Sequence, residues 1–418
     1  MRILMLAWEY PPRIVGGIAR HVEELAWALA KRPDYEVHVV TCEFPGAAAE
    51  ETIEGVQIHR VTPYDAPGGY NDFIHWVHQL NAAMRDRAYA LIQQWLTPKT
   101  KTASRKDPKK LTERDGILLH AHDWLAYFAG VELKYAFKLP LVATIHATEF
   151  GRNNGIHNDL QRYINSIEVQ LTHEAWRVIV CSDFMQGEVT YALRTPLDKL
   201  DIIYNGINAS KFDFPFPEDE AATFRTRFAA PFEKMAMFVG RGVREKGCQV
   251  LIDALPIVRR HYLNCKLVIA GGGDKRHLVE QANRLGIGAQ VLFTGFISDD
   301  DLLRLYKVAD VACFPSLYEP FGIVALEAMA ARTPVVVSDA GGLKEVVEHD
   351  VTGTVTYAED PNSLAWGILR VLHNPGHAYQ MAQLAYDRVQ TVFNWDRIAM
   401  QTESVYGRAW REYKSSDW

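Results

Sequence analysis

Met235-Ala-Met-Phe-Val-Gly240 is an apolar run closed by glycine, and Arg241-Gly-Val-Arg-Glu-Lys246-Gly247 follows it directly. Gly247–Arg260 then reads as a helix and Lys266–Ala270 as a second apolar run. A buried strand, a basic turn, a helix and another strand make one βαβ unit of a parallel sheet. Val291–Thr294, Val311–Pro315 and Val335–Ser338 continue the series. The N-terminal half carries the same alternation. Ile3–Ala7 reads as a strand, and Ala19–Lys31 follows with Val22, Leu25, Ala26 and Leu29 at helical spacing. Strand runs come next at Glu36–Thr41, Gly55–Val61, Leu118–His122, Leu141–Ile145, Val178–Cys181 and Asp201–Tyr204.

Two runs of βα units predict an α/β protein of two Rossmann-like, doubly wound parallel-sheet domains. The join falls in Asn205–Lys234, which holds three prolines and few strand signals. The expected domains are therefore residues 1–205 and 206–394, with a terminal helix, 395–418, packing back across them.

Composition narrows the class. Of 418 residues, 48% are apolar and 23% charged, ordinary for a globular protein. A net charge of −6 argues against a nucleic-acid partner. Five cysteines without a CxxC pair argue against a disulfide framework or zinc knot, and fit a reducing, cytoplasmic setting. No apolar stretch approaches the roughly 20 residues of a membrane span, so no stable membrane insertion is expected. The basic insertion Lys99–Arg114 reads as a solvated loop, with a polyanion or glycan contact as the alternative.

Five stations carry chemistry. Gly16-Gly17, between the first strand and its helix, lets backbone N–H groups approach an anion, although the spacing is not that of a dinucleotide fingerprint. His120-Ala-His-Asp-Trp124 ends a strand, at the sheet edge where α/β proteins bind ligands. Two histidines and one aspartate are a thin metal set. Asp123 and Trp124 suit a sugar better, the carboxylate accepting hydroxyl hydrogen bonds and the indole stacking. Thr144-Ile-His146 ends the next strand. Arg241 and Lys246 bring two positive charges to a strand end beside a helix start, which favours a diphosphate. Glu319 and Glu327 stand eight positions apart, one in a loop and one inside a helix. They would reach different parts of one ligand, unlike the flanking carboxylates of glycoside hydrolases. Ser298-Asp-Asp-Asp301 is expected to cap a helix.

As a set, these motifs resemble retaining glycosyltransferases of family 4. The resemblance rests on Tyr10-Pro-Pro, Gly16-Gly17, Arg20-His21-Val22 and Glu24-Leu25 at the start. It continues through Asn205-Gly206, Gly240-Arg241, Lys246-Gly247, Glu319-Pro-Phe-Gly322, Glu327, Gly341-Gly-Leu343 and Glu345-Val346. Within that family, His120–Trp124 and Thr144–His146 are similar to segments of bacterial glycogen and starch synthases. Those synthases usually place Lys where Ile14 stands and Cys where Phe321 stands.

The resemblance implies a GT-B fold, two Rossmann-like domains facing across a cleft. It implies transfer of glucose from ADP-glucose or UDP-glucose to an α-glucan with retention, and no cofactor or metal. Other family acceptors, of sucrose, lipid or polysaccharide type, are the alternative. A sugar-nucleotide 2-epimerase and a silent binding module are the rivals from other classes. The catalytic set would be His146, Asp123, Arg241, Lys246 and Glu319, with Asp123 and Trp124 near the acceptor. Donor contacts would fall on Gly16, Gly17, Arg241, Lys246, Phe296, Ile297, Phe321, Gly322, Ile323 and Glu327.

Overall fold

The computed structural model describes residues 1–64, 72–97 and 115–418. The basic insertion Lys99–Arg114 lies outside the described residues. The chain forms two compact units, Met1–Tyr204 with Trp395–Trp418, and Asn205–Asn394.

The first unit is built on eight strands. They are β1 (Arg2–Leu6), β2 (Glu36–Cys42), β3 (Glu50–Ile53), β4 (Val56–Val61), β5 (Ile117–His122), β6 (Leu141–Ile145), β7 (Arg177–Val180) and β8 (Leu200–Ile202). Their order across the sheet is β3-β4-β2-β1-β5-β6-β7-β8. Every pairing is parallel except β3 with β4. β1 lies between β2 and β5, with Met5 opposite Val39 on one side and His120 on the other. Ile3, Leu4, Met5 and Leu6 are all fully buried. Strands covered by helices on both faces read as continuous apolar runs, which is why β1 shows no alternation.

The second unit holds β9 (Lys234–Val239), β10 (Cys265–Ala270), β11 (Val291–Gly295), β12 (Val311–Phe314), β13 (Val335–Ser338) and β14 (Thr354–Thr356). Their order is β11-β10-β9-β12-β13-β14, all parallel. Counted from β9 this is the Rossmann order 3-2-1-4-5-6. Each sheet therefore reverses direction once, between β1 and β5 and between β9 and β12.

The terminal helix Trp395–Ser415, expected to pack back across the domains, belongs to the first unit. It buries Tyr406, Trp410 and Tyr413 in the same core as Ile3, Val22, Leu25 and Val39. The Trp410 ring lies against the backbone of Gly116, where an added Cβ would sit 2.5 Å from the indole. Replacing Trp410 by Ala opens a large cavity and should cost the first unit about 3–5 kcal/mol. Denaturant unfolding followed by circular dichroism measures this loss. It should appear in the first unit although residue 410 lies beyond the second in sequence.

Candidate active site

In an open α/β sheet, ligands bind off the C-terminal strand ends where the strand order reverses. Four of the five motif stations follow the strands at these reversals, β1, β5, β9 and β12, and the fifth, Thr144–His146, follows the neighbouring β6.

In the first unit the chain leaves β1 through Glu9 and reaches the helix Gly17–Ala30. Glu9 is fully buried. Its carboxylate accepts hydrogen bonds from the N–H groups of Val15 (2.6 Å), Gly16 (2.9 Å) and Ala19 (3.3 Å). Burial raises its pKa, and these three donors hold it back. The Gly16 amide is thus already bonded to a side chain, so of the two glycines expected to offer amides to a diphosphate, it is not available in this conformation. Gly16 is extended rather than left-handed, with φ −154°.

Asp123 follows β5 with φ 59°, uncommon for a residue other than glycine. Its carboxylate accepts the His146 N–H at 2.7 Å, and desolvation raises its pKa to about 7. The carboxylate assigned to sugar hydroxyls therefore grips the loop that carries His146. Trp124 is buried edge-on to Phe73, with ring centroids 6.1 Å apart. His146 is half-buried, and its Nε2 lies 3.2 Å from His122 Nδ1. Burial holds both imidazoles well below their ordinary pKa, that is, neutral. His120 is different. Its ring nitrogens meet the Tyr406 hydroxyl (2.7 Å) and the Thr144 hydroxyl (2.8 Å), and it is a core residue.

In the second unit, β9 runs into Gly240-Arg241 and β12 into the loop holding Glu319. Lys246 Nζ donates to Glu319 Oε2 at 2.7 Å, and the Ser316 hydroxyl donates to the same oxygen at 3.2 Å. The two loops touch backbone to backbone. Gly247 has φ 70°, and a Cβ there would lie 1.7 Å from the Pro315 carbonyl oxygen. Arg241 is more loosely held, its guanidinium 3.5 Å from Glu245 and its side chain 53% exposed. Gly322, φ 114°, starts the helix Ile323–Ala330. Glu327 on that helix accepts the hydroxyl of buried Tyr306 at 2.8 Å. Phe321 is buried edge-on to Phe393, so its ring serves the core. Phe296 stands 85% exposed after β11, with Ile297 partly exposed beside it. Ser298 caps the next helix by accepting the Asp301 N–H, as its spacing implied.

Sequence reasoning gave no role to Glu9, Glu168 or Lys275. Glu168 is buried, accepts the Glu149 N–H at 2.8 Å, and is pushed up to about 8 by desolvation. Lys275 is buried beneath the glycine turns, donating to the Gly271 carbonyl. For Glu9 and Lys275 the available signal was a charged residue directly after an apolar run or within a glycine turn, whereas Glu168 lies inside the helix Asp159–Glu174, where the sequence offers no such mark.

Two doubly wound units with these strand-end constellations define a glycosyltransferase of the GT-B fold. The chain matches the profile of glycosyl transferases group 1 over residues 222–388. It matches that of glycosyltransferase family 4 over residues 15–110 and 94–211. A glycosyltransferase of Methanocaldococcus jannaschii is 41% identical, over 97% of this chain and 98% of the relative. A glycogen synthase of Mycobacterium tuberculosis is 36% identical, over 97% and 94% respectively. The structure of a sucrose-phosphate synthase from Thermosynechococcus elongatus superposes with TM-score 0.80 at 24% identity, covering 98% of this chain and 99% of that one. The chain belongs to glycosyltransferase family 4 and is a hexosyltransferase.

Two outcomes follow from the geometry. A carboxyl raised in the folded state stabilises fully below its unfolded pKa of about 4.3, and that stability is lost as pH rises through the folded value. Glu168, at about 8, should therefore weaken the first unit progressively between about pH 4.5 and 8. Glu168→Gln should remove up to about 1.4 kcal/mol of that loss per pH unit. Melting temperatures of the two proteins, compared across this range, should diverge as pH rises. Separately, Gly247→Ala should prevent the second unit from folding, because both contacting groups are backbone. A soluble variant with unchanged Tm would contradict the contact.

Proposed function

We propose that the protein transfers glucose from ADP-glucose or UDP-glucose to an α-glucan with retention at the anomeric carbon. The observation that carries the donor half is the Lys246–Glu319 pair at the β9–β12 reversal. A buried carboxylate and an ammonium, 2.7 Å apart, are held at the place where a Rossmann sheet takes its ligand. The glucan half is supported by 36% identity, over nearly the whole chain, to a glycogen synthase.

The resting pair suggests how the donor seats. An incoming diphosphate draws Lys246 away from Glu319 by offering more negative charge. Glu319 is then left to accept hydroxyl hydrogen bonds from the sugar. Arg241, exposed and loosely paired, swings onto the same diphosphate. The N–H groups at the start of the helix Ile323–Ala330, opened by Gly322, add their dipole. Phe296 offers a face for the base beside Ile297, and Glu327 meets the ribose.

Leaving-group departure is the costly step, and the two basic side chains stabilise the charge that develops. No metal is given a part in the transfer. In the first unit His146 sits by the transferring sugar. Asp123 fixes its position through the backbone, and Gly17 offers the glycine-loop amide toward the phosphates. Trp124 stands by the acceptor. With no carboxylate assigned to the β-face, retention proceeds by a front-face route in which the departing phosphate takes the acceptor proton. The five cysteines are all buried thiols, in keeping with a reducing cytoplasmic setting.

Arg241→Ala and Lys246→Ala should each lower kcat by roughly 10²–10³. The wider test is a panel of ADP-, UDP-, GDP- and dTDP-glucose against glucan, fructose 6-phosphate and monosaccharide acceptors. The expected result is nucleotide release that depends on glucan, with new α-linkages seen by NMR. Turnover with another acceptor but none with glucan would overturn the glucan assignment. Unchanged turnover in both variants would overturn the donor site.

A further inference from the structure

Three histidines from three separate elements converge in the first unit. His21 comes from the helix Gly17–Ala30, His122 from the end of β5, and His146 from just beyond β6. One ring nitrogen of each lies within 4.8 Å of the other two. His21 meets the other two rings at steep angles, whereas His122 and His146 lie near-parallel, 21° apart with centroids at 5.5 Å. His21 is turned 76° to His146 with centroids 4.7 Å apart, and 61° to His122 at 5.6 Å.

In a tetrahedral zinc site with Zn–N of about 2.0–2.1 Å, neighbouring ligand nitrogens stand about 3.3 Å apart. The His122 Nδ1 to His146 Nε2 edge is already 3.2 Å. A proton shared between those two rings accounts for one edge only, and it does not account for the third ring turned toward them. The other nitrogen of His122, Nε2, is fully buried with no hydrogen-bond partner. His146 is half-buried, which leaves a path for an ion.

The surroundings define the donor set. His120, 4.1 Å from His122 between ring centroids, has both nitrogens bonded to Tyr406 and Thr144. Asp123 directs its carboxylate to the His146 N–H. What remains is three imidazoles. Imidazole favours zinc, cobalt, nickel and copper over magnesium and calcium, which prefer oxygen.

We propose that His21, His122 and His146 form a binding site for a zinc-class divalent cation, with three protein ligands and one open position. Seating the ion requires the His21 ring to close on the other two. Metal bound there takes the His146 imidazole away from the transferring sugar, so the ion acts as a reversible inhibitor. The inhibition rests on the role given to His146 above, whereas the binding site does not.

Cobalt(II) is the probe. Titration of the full chain should give one equivalent with the intense visible bands of four-coordinate cobalt, displaced by zinc. His21→Ala should weaken that binding at least tenfold, as should His21→Gln, which keeps more of the side-chain volume should Ala disturb folding. Circular dichroism melts establish which variant is folded. A weak octahedral cobalt spectrum in the wild type would overturn the site, and so would bands that survive in the folded His21 variant. In the assay, micromolar zinc should inhibit the wild type, EDTA should reverse it, and His21→Gln should be less sensitive. Tight cobalt binding without inhibition would leave the site standing and overturn the role of His146.

Discussion

A parallel sheet that reverses its winding leaves two adjacent strands whose outgoing chains depart to opposite sides. At that point the backbone groups beyond the strand ends have no neighbouring strand to pair with. Buried N–H groups left unbonded cost about 1–3 kcal/mol each, so something else must meet them. Beyond β1 and β5 the partners are carboxylates, Glu9 under the glycine loop and Asp123 under His146. Beyond β9 and β12 the two loops meet each other, Leu317 N–H donating to the Glu245 carbonyl at 2.8 Å. These devices hold the strand-end loops still.

The fold was readable because burial on both faces leaves an unmistakable trace. β1, β9, β10 and β12 are dominated by apolar residues, and the last three stop abruptly at Gly240, Gly271 and Pro315. β3, with Glu-Glu-Thr-Ile, carried no such trace, because it is an exposed edge strand. The site was readable as a list of positions and much less as a set of contacts. Gly16, Asp123, Glu319 and Glu327 lie at the strand ends or helix where they were expected, yet each is bonded within its own unit. Spacing reports which edge a side chain occupies and does not report which backbone N–H it caps. Phe321 illustrates the same limit, because an aromatic in a motif can serve the core as readily as the ligand. The histidine cluster was hidden for another reason. His21 and His122 are a hundred positions apart, and only the β1–β5 adjacency brings them together.

Buried carboxylates and neutral imidazoles crowd the first unit's edge, whereas the second unit's edge carries an ion pair. Desolvation explains the contrast. Asp123, Glu168, His122 and His146 have few opposite charges at hand, so burial pushes each toward its uncharged form. An edge made of uncharged but polar groups suits a sugar, and an edge with fixed charges suits a phosphate.

The return of the last helix to the first unit carries a consequence for biosynthesis. Translation proceeds at about 5–20 residues per second, and N-terminal domains usually fold as they emerge. Here Tyr406, Trp410 and Tyr413 complete the core that begins at Ile3, so the leading half of the nascent chain stays unfinished until Trp395–Trp418 has emerged. The trailing half, contiguous from Asn205 to Asn394, can close first. A chain cut short before Trp395 would therefore carry an intact second unit joined to a first unit with exposed apolar surface, a natural substrate for chaperones and proteolysis.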